Sequence, residues 1–331
     1  MRIAINGFGR IGRNFLRELH RRNLLNTSVE VIAINDLADA PTLAHLLKYD
    51  SIHGRFHGQI STLSDSILID GHAIQICNER NPENLPWGKL KVDLVLESTG
   101  LFRSAEKAGM HIIAGAKKVV LSAPPNDNNI PTVVVGINDH IITGKEPIIS
   151  NASCTTNNVA PIFKILHENW GIESGYVSTV HSYTSDQSLH DAPHKDLRRA
   201  RAGAQSIIPT TTGAAKAITR IFPELDGRIG GCGIRVPVPN GSLSDISCVV
   251  SKACTAEEVN AAFKKAAAEM PTIFKYETDP IVSVDILGSP YSCTFDSLLT
   301  SVIGKMVKVV GWYDNEIGYS NRLIDLILLV K

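Results

Sequence analysis

The chain has 331 residues, 44% hydrophobic and 20% charged, the composition of an ordinary folded protein rather than a disordered or fibrous one. Lys plus Arg and Asp plus Glu both number 33, so no basic excess draws in nucleic acid or an anionic membrane, and any bound anion must be captured locally. The length exceeds the roughly 100–200 residues of one domain and favours two.

In chain order, apolar runs alternate with helical patterns: Ile3 to Ile5, Ile11 to Leu19, Val29 to Ile34, and a helix near Leu43 to Leu47. Gln59 to Ile76 holds short alternating segments with Asp70-Gly71 at a turn, which predicts an inserted antiparallel ribbon. The rhythm resumes with Val92 to Leu96, a helix from Ala105 to Ile113, and strands at Val119 to Leu121, Thr132 to Val135 and Ile148 to Ser150. This pattern predicts an α/β, doubly wound, Rossmann-type domain over 1–151. Beyond it, strands at Gly175 to His181, Gly233 to Val238, Asp245 to Ser251 and Val307 to Tyr313, with helices near Thr155 to His167 and Ala256 to Glu269, predict an α+β domain over 152–314 with a mostly antiparallel sheet. Ser182 to Ser206 is long, polar and basic without a regular period and reads as a structured functional loop. A final helix in 315–331 is expected to join the first domain.

The six cysteines (Cys77, Cys154, Cys232, Cys248, Cys254 and Cys293) form no Cys-x-x-Cys pair, so no metal is expected and the thiols read as reduced. The apolar run near the N-terminus is too short for a signal peptide, and no run of about 18 uncharged apolar residues occurs. A cytoplasmic location without membrane or nucleic-acid partners is the expectation.

Gly7-Phe-Gly9-Arg-Ile-Gly12 lies between a strand and a helix, where the backbone turns sharply, approaches a pyrophosphate and offers it a helix N-terminus. The second strand ends at Asn35-Asp36, placing an acid to meet ribose hydroxyls. Asp36 repels a 2′-phosphate and Leu37 supplies no cation, so NAD is expected over NADP. Cys154 sits where a strand gives way to a helix, whose dipoles are expected to lower its thiol pKa. His181 ends a strand and is a candidate base. Arg235 lies at one end of the apolar stretch Ile234-Arg-Val-Pro-Val-Pro239, and Thr210-Thr-Thr-Gly213 precedes a helical segment; both fit anion sites. On residue chemistry alone, a buried cysteine, a structural histidine, an ion pair and an N-cap remain open as alternatives.

These segments together resemble phosphorylating glyceraldehyde-3-phosphate dehydrogenase across essentially the whole chain. The likeness rests on Ile5-Asn-Gly-Phe-Gly-Arg-Ile-Gly-Arg13, Tyr49-Asp-Ser-Ile-His-Gly-Arg-Phe56, Glu97-Ser-Thr-Gly-Leu-Phe102, Ser150-Asn-Ala-Ser-Cys-Thr-Thr-Asn157, His181-Ser-Tyr-Thr-Ser-Asp-Gln187, the stretch Asp191 to Arg201, and Trp312-Tyr-Asp-Asn-Glu316. The resemblance implies Cys154 as nucleophile and His181 as base. It implies Thr184 and Arg235 at the substrate's C3 phosphate. It also implies Ser153, Thr155, Thr212 and Gly213 at the attacking inorganic phosphate, with Arg199 nearby. For the cofactor it implies Gly7, Gly9, Gly12, Arg10 and Ile11 beside the pyrophosphate, Asp36 at the adenosine ribose, Ser122 at the nicotinamide ribose and Asn315 at the nicotinamide amide. Pro193 matches a loop proline associated with NAD preference. The implied reaction is glycolytic and gluconeogenic: NAD-dependent conversion of glyceraldehyde 3-phosphate to 1,3-bisphosphoglycerate through a hemithioacetal and a thioester, in a homotetramer. Erythrose-4-phosphate dehydrogenase, which passes its thioester to water, is the alternative. Two positions depart from the family: Asn158 stands where a second cysteine is common, and Ile317 where tryptophan is usual.

Overall fold

Residues 1–331 are described by a computed structural model, whose contacts separate them into two units. The first comprises Met1–Val135, Asp139–Ala152 and Ser320–Lys331, the second Gly136–Asn138 and Ser153–Tyr319. The division falls one residue after the expected one, and the C-terminal helix Ile317–Leu329 begins in the second unit and ends in the first.

In the first unit an eight-stranded sheet runs in the order Ile148–Ser150, Lys118–Leu121, Leu94–Glu97, Arg2–Asn6, Glu30–Asn35, His72–Cys77, Ser66–Ile69, Ile60–Leu63. The pairs from Ile148–Ser150 through His72–Cys77 are parallel, and the last three strands pair antiparallel. The expected ribbon therefore extends the main sheet instead of standing apart from it. Its Asp70-Gly71 turn has φ of 48° and 85°, the left-handed pair that a tight hairpin needs. The central strands are buried on both faces, which is why they read as continuous apolar runs. Trp87 fills one core cluster with Ala4, Ala33 and Val95, and Ala108 anchors another with Val119, Leu121 and Ile148. The expected strand Thr132 to Val135 reduces to one bridge, Thr132 to Ser150, after which the chain leaves the sheet and turns at Gly136, φ 80°. Because Arg2–Asn6 lies between Glu30–Asn35 and Leu94–Glu97, the strand order reverses there, and the carboxyl ends of these strands form the natural ligand crevice.

The second unit carries its own eight-stranded sheet in the order Ile208–Thr210, Ile229–Val236, Ile172–Ser182, Ser242–Val250, Met306–Tyr313, Cys293–Asp296, Phe274–Glu277, with Ser301–Ile303 added beside Met306–Tyr313. Ile172–Ser182 pairs parallel with Ile229–Val236, and Phe274–Glu277 with Cys293–Asp296; the remaining pairs are antiparallel. Helix Cys154–Trp170, buried over most of its surface, packs on the central strands. Phe263 stacks on Phe295 at 4.1 Å between ring centroids, with Phe274 alongside. Helix Ala256–Glu269 starts with a reciprocal Thr255/Glu258 capping box, worth about 1 kcal/mol. The polar loop at 183–207 holds neither helix nor strand and is tied by Asp186–Arg199 and Asp191–Arg201 ion pairs. No helix is long and apolar enough to cross a membrane.

Candidate active site

In the first unit the crevice has a volume of about 380 Å³ and is lined by Gly7, Gly9, Asn35, Asp36, Thr99 and Phe102, among others. The glycines fit a dinucleotide for three separate reasons. Gly7 has φ 90°, and a Cβ there would lie 2.7 Å from Thr99 N. A Cβ on Gly12 would lie 2.4 Å from Gly7 O, so close helix–strand packing excludes any side chain. Gly9 meets nothing within 4 Å and, as the N-cap of helix Arg10–Arg21, supplies no side chain to its first-turn amides, which leaves a bare, positively polarised backbone facing the crevice. Arg10, Ile11 and Gly12 form that first turn, and the Arg10 guanidinium is engaged by Asp50 at 2.5 Å. Asp36 follows strand Glu30–Asn35; its Oδ2 accepts from Phe8 N at 2.8 Å and its Oδ1 from Ala38 N at 3.2 Å. Ser122 follows strand Lys118–Leu121, outside this lining, with its amide bonded to Glu97 O.

In the second unit Ser153 caps helix Cys154–Trp170: its Oγ accepts from Thr156 N at 3.0 Å, and Ala152 before it adopts φ 56°. That turn makes Cys154 the first helical residue. Its Sγ lies 3.5 Å from His181 Nε2, contributed by the end of strand Ile172–Ser182. The parallel register sets Arg235 directly beside His181. Arg235 Nη1 lies 2.5 Å from His181 Nδ1 and donates to Ser182 O at 2.9 Å, while Nδ1 itself lies 2.7 Å from Ser182 O. With the imidazole proton on Nδ1, that nitrogen donates to Ser182 O and Nε2 turns its lone pair to the thiol; with the proton on Nε2, Nδ1 instead accepts from Arg235, and action as a base toward Cys154 requires the first tautomer.

The electrostatics correct one expectation. Burial pushes the Cys154 thiol up, and the opposing Arg235 charge and Thr155 N–H and hydroxyl do not reverse it, so the helix terminus alone does not make a resting thiolate. Burial and then the Arg235 charge pull His181 down to about 3, so the resting imidazole is neutral. The pair is a thiol facing a neutral base. Arg235 is partly buried and makes no ion pair with a carboxylate, whereas Arg199 is held by Asp186 at 2.5 Å and by Thr210 Oγ1 at 2.8 Å. A guanidinium without a carboxylate ion-pair partner beside the thiol is suited to an anionic group on a substrate.

Thr155 turns its hydroxyl to Tyr313 OH at 2.9 Å, which also meets Thr179 at 3.0 Å, so its side chain is engaged in the sheet. Gly213 is the exposed N-cap of helix Ala214–Ile221, and Thr212 Oγ1 accepts from Ala214 N. Thr184 follows the strand bearing His181, with its carbonyl bonded to Gln187 N. Asn315 Oδ1 accepts from Ser182 and Ser242 hydroxyls at 2.8 and 3.1 Å, leaving Nδ2 to donate. Tyr313, Ser242 and Asp186 have no role in the sequence reading; Tyr313 lies inside a quoted motif, but the pairing that brings it to Thr155 spans more than 150 residues. Asn158 is buried and donates to Ser292 O and Trp312 O, and Ile317 is buried at the start of the last helix.

Residues 1–105 match the family described as glyceraldehyde 3-phosphate dehydrogenase, NAD binding domain, and residues 153–315 match that described as its C-terminal domain. Glyceraldehyde-3-phosphate dehydrogenase 2 of Streptomyces avermitilis is 54% identical over 100% of this chain and 98% of its own. The glyceraldehyde-3-phosphate dehydrogenase of Geobacillus stearothermophilus is 54% identical over 98% of this chain and 97% of its own, and that of Mycobacterium avium 53% over 100% and 98%.

Proposed function

The chain belongs to the glyceraldehyde-3-phosphate dehydrogenase family, and from that premise we propose that Cys154 and His181 carry an NAD-dependent oxidation of glyceraldehyde 3-phosphate that ends in transfer of the acyl group to inorganic phosphate. The observation that carries this reading is the 3.5 Å approach of Cys154 Sγ to His181 Nε2 next to a guanidinium with no carboxylate partner.

The substrate's phosphate docks on Arg235, with Thr184 beside it, and sets the aldehyde carbon against Sγ. His181 Nε2 takes the thiol proton as sulfur bonds to that carbon, and the carbonyl oxygen becomes an oxyanion held by the Cys154 amide and the new Nε2–H. Proton return from Nε2 gives the hemithioacetal hydroxyl. Bound NAD supplies the acceptor for the hydride that leaves this carbon. As it leaves, His181 removes the hydroxyl proton, and the product on Cys154 is a thioester. Inorganic phosphate, held by Ser153, Thr155 and Thr212–Gly213 with Arg199 nearby, attacks the acyl carbon. The carbon–sulfur bond breaks, the acyl phosphate departs, and Cys154 regains a proton from His181. The Thr210-Thr-Thr-Gly213 segment and the loop motifs favour phosphate over water as acceptor, and transfer to phosphate keeps in the product energy that hydrolysis would release.

Gly7, Gly9, Arg10, Ile11, Gly12, Asp36, Ser122 and Asn315 belong to the cofactor part of this proposal. So do a homotetramer, supported by the exposed apolar side chains Leu189, Leu197 and Ile207 on the 183–207 loop, and a cytoplasmic location, supported by six free cysteines. The reaction serves sugar breakdown and synthesis alike, being reversible at the acyl phosphate. Formation of NADH together with an acyl phosphate from glyceraldehyde 3-phosphate, NAD and phosphate tests the reading; NADH formed with free 3-phosphoglycerate as the sole product contradicts it.

A further inference from the structure

Beneath the crevice of the first unit lies a buried polar relay that the reaction does not use. Trp87 Nε1 donates to His111 Nδ1 at 3.0 Å. An indole N–H only donates, so Nδ1 must accept, and the neutral imidazole carries its proton on Nε2. That Nε2–H faces Glu97 Oε2 at 3.1 Å, where Asn6 Nδ2 also donates at 2.6 Å. The other carboxylate oxygen accepts from Thr99 N at 2.9 Å and from the Thr99 hydroxyl. Trp87 and His111 are fully enclosed and Glu97 is 2% exposed. Each upper branch of the relay ends on the crevice wall. Asn6 Oδ1 accepts from Asn35 Nδ2, and Thr99 N is the atom that a Cβ on Gly7 would strike at 2.7 Å. The phosphate-binding turn therefore rests on a loop whose position is set by Glu97.

We propose that His111, which does not line the crevice, is a positioning residue for NAD: by donating to Glu97 it fixes the carboxylate that holds Thr99 under Gly7 and Asn6 against Asn35. The inference rests on the reading that the dinucleotide occupies this crevice. A carboxylate that loses one donor in a dry site reorients toward those remaining, and Thr99 and Asn6 move with it. Trp87 is the outer end of the relay, and its loss leaves the His111–Glu97 bond standing.

The test is calorimetric titration of NAD into the full-length enzyme, with kcat and KM for NAD measured alongside. His111→Leu is expected to raise the NAD Kd about tenfold or more, with kcat at saturating NAD within about twofold of wild type. His111→Gln keeps a side-chain donor for Glu97, and Trp87→Phe lowers stability without cutting that bond; both are expected to bind NAD within about threefold of wild type. Unchanged affinity in His111→Leu overturns the proposal, as does an equal loss in Trp87→Phe, which would mark general destabilisation. If His111→Leu does not fold, Thr99→Val cuts the relay at its accessible end: at least about threefold weaker binding is expected, and wild-type affinity overturns the proposal. Asp36→Ala separates the two levels. If it leaves NAD binding unchanged, the crevice reading itself fails; if it weakens binding while His111→Leu does not, only the role of His111 fails.

Discussion

Arg235 Nη1 lies 2.5 Å from His181 Nδ1, so the cation assigned to the substrate's phosphate also touches the imidazole assigned as base. The contact follows from the parallel register of Ile172–Ser182 with Ile229–Val236. One positive charge thus acts on the His181 imidazole and the Cys154 thiol together and, in the proposed reaction, on the substrate's phosphate as well.

Replacing Arg235 by Leu is expected to lower kcat/KM for glyceraldehyde 3-phosphate by about 100-fold or more, since a charge-assisted contact contributes about 1.5–3 kcal/mol and the anchored phosphate also orients the aldehyde. Steady-state kinetics with a phosphate-free aldehyde provide the control: its kcat/KM is expected to fall far less.

The same substitution has an electrostatic signature. The guanidinium charge lowers the Cys154 thiol pKa and lowers that of His181, so its removal raises both. The pH profile of iodoacetamide alkylation at Cys154 should shift to higher pH in Arg235→Leu. A shift to lower pH, or none, contradicts the assigned contact.

Asp36→Ala is expected to weaken NAD binding and narrow the preference for NAD over NADP by about tenfold, as the repelling carboxylate disappears along with its hydrogen bond to Phe8 N. The ratio of kcat/KM values for the two cofactors measures this. An unchanged ratio contradicts the role given to Asp36.

Burial pushes the Asp50 carboxyl up, but the amides of His53 and Ile52 and the Arg10 guanidinium outweigh it and hold the group at about 2, below its ordinary 3.8. A depressed carboxylate stabilises the fold above the unfolded pKa and loses that contribution as pH falls through the folded one. Asp50→Asn is therefore expected to be less stable by about 2 kcal/mol at neutral pH, with the deficit closing between about pH 4 and 2. Denaturant unfolding at several pH values checks the sign; a deficit that grows on acidification contradicts it.

The first unit was legible because its cues are local. Alternating apolar runs mark buried parallel strands, and the Gly7 to Gly12 spacing marks the turn between strand and helix. The start of strand Ile229–Val236 is hidden in the sequence because Gly230 and Gly231 break the apolar pattern, although the backbone there still pairs along Ile172–Ser182. Cys154 was legible as a helix-initiating thiol, but the direction of its pKa was not. The helix terminus is a local feature, while burial is a property of the folded unit, and burial wins. Likewise the placing of Arg235 beside His181 and of Tyr313 beside Thr155 depends on pairing between distant strands, which no motif encodes.

The most direct measurement of the central claim is a rapid-mixing experiment with glyceraldehyde 3-phosphate and NAD, first without phosphate and then with it, followed by intact-protein mass analysis. Without phosphate the account predicts a burst of one NADH per subunit, an acyl adduct on Cys154 and near arrest, with no burst in Cys154→Ser; added phosphate restores turnover and removes the adduct. Equally fast turnover without phosphate, or a full burst in Cys154→Ser, would contradict it.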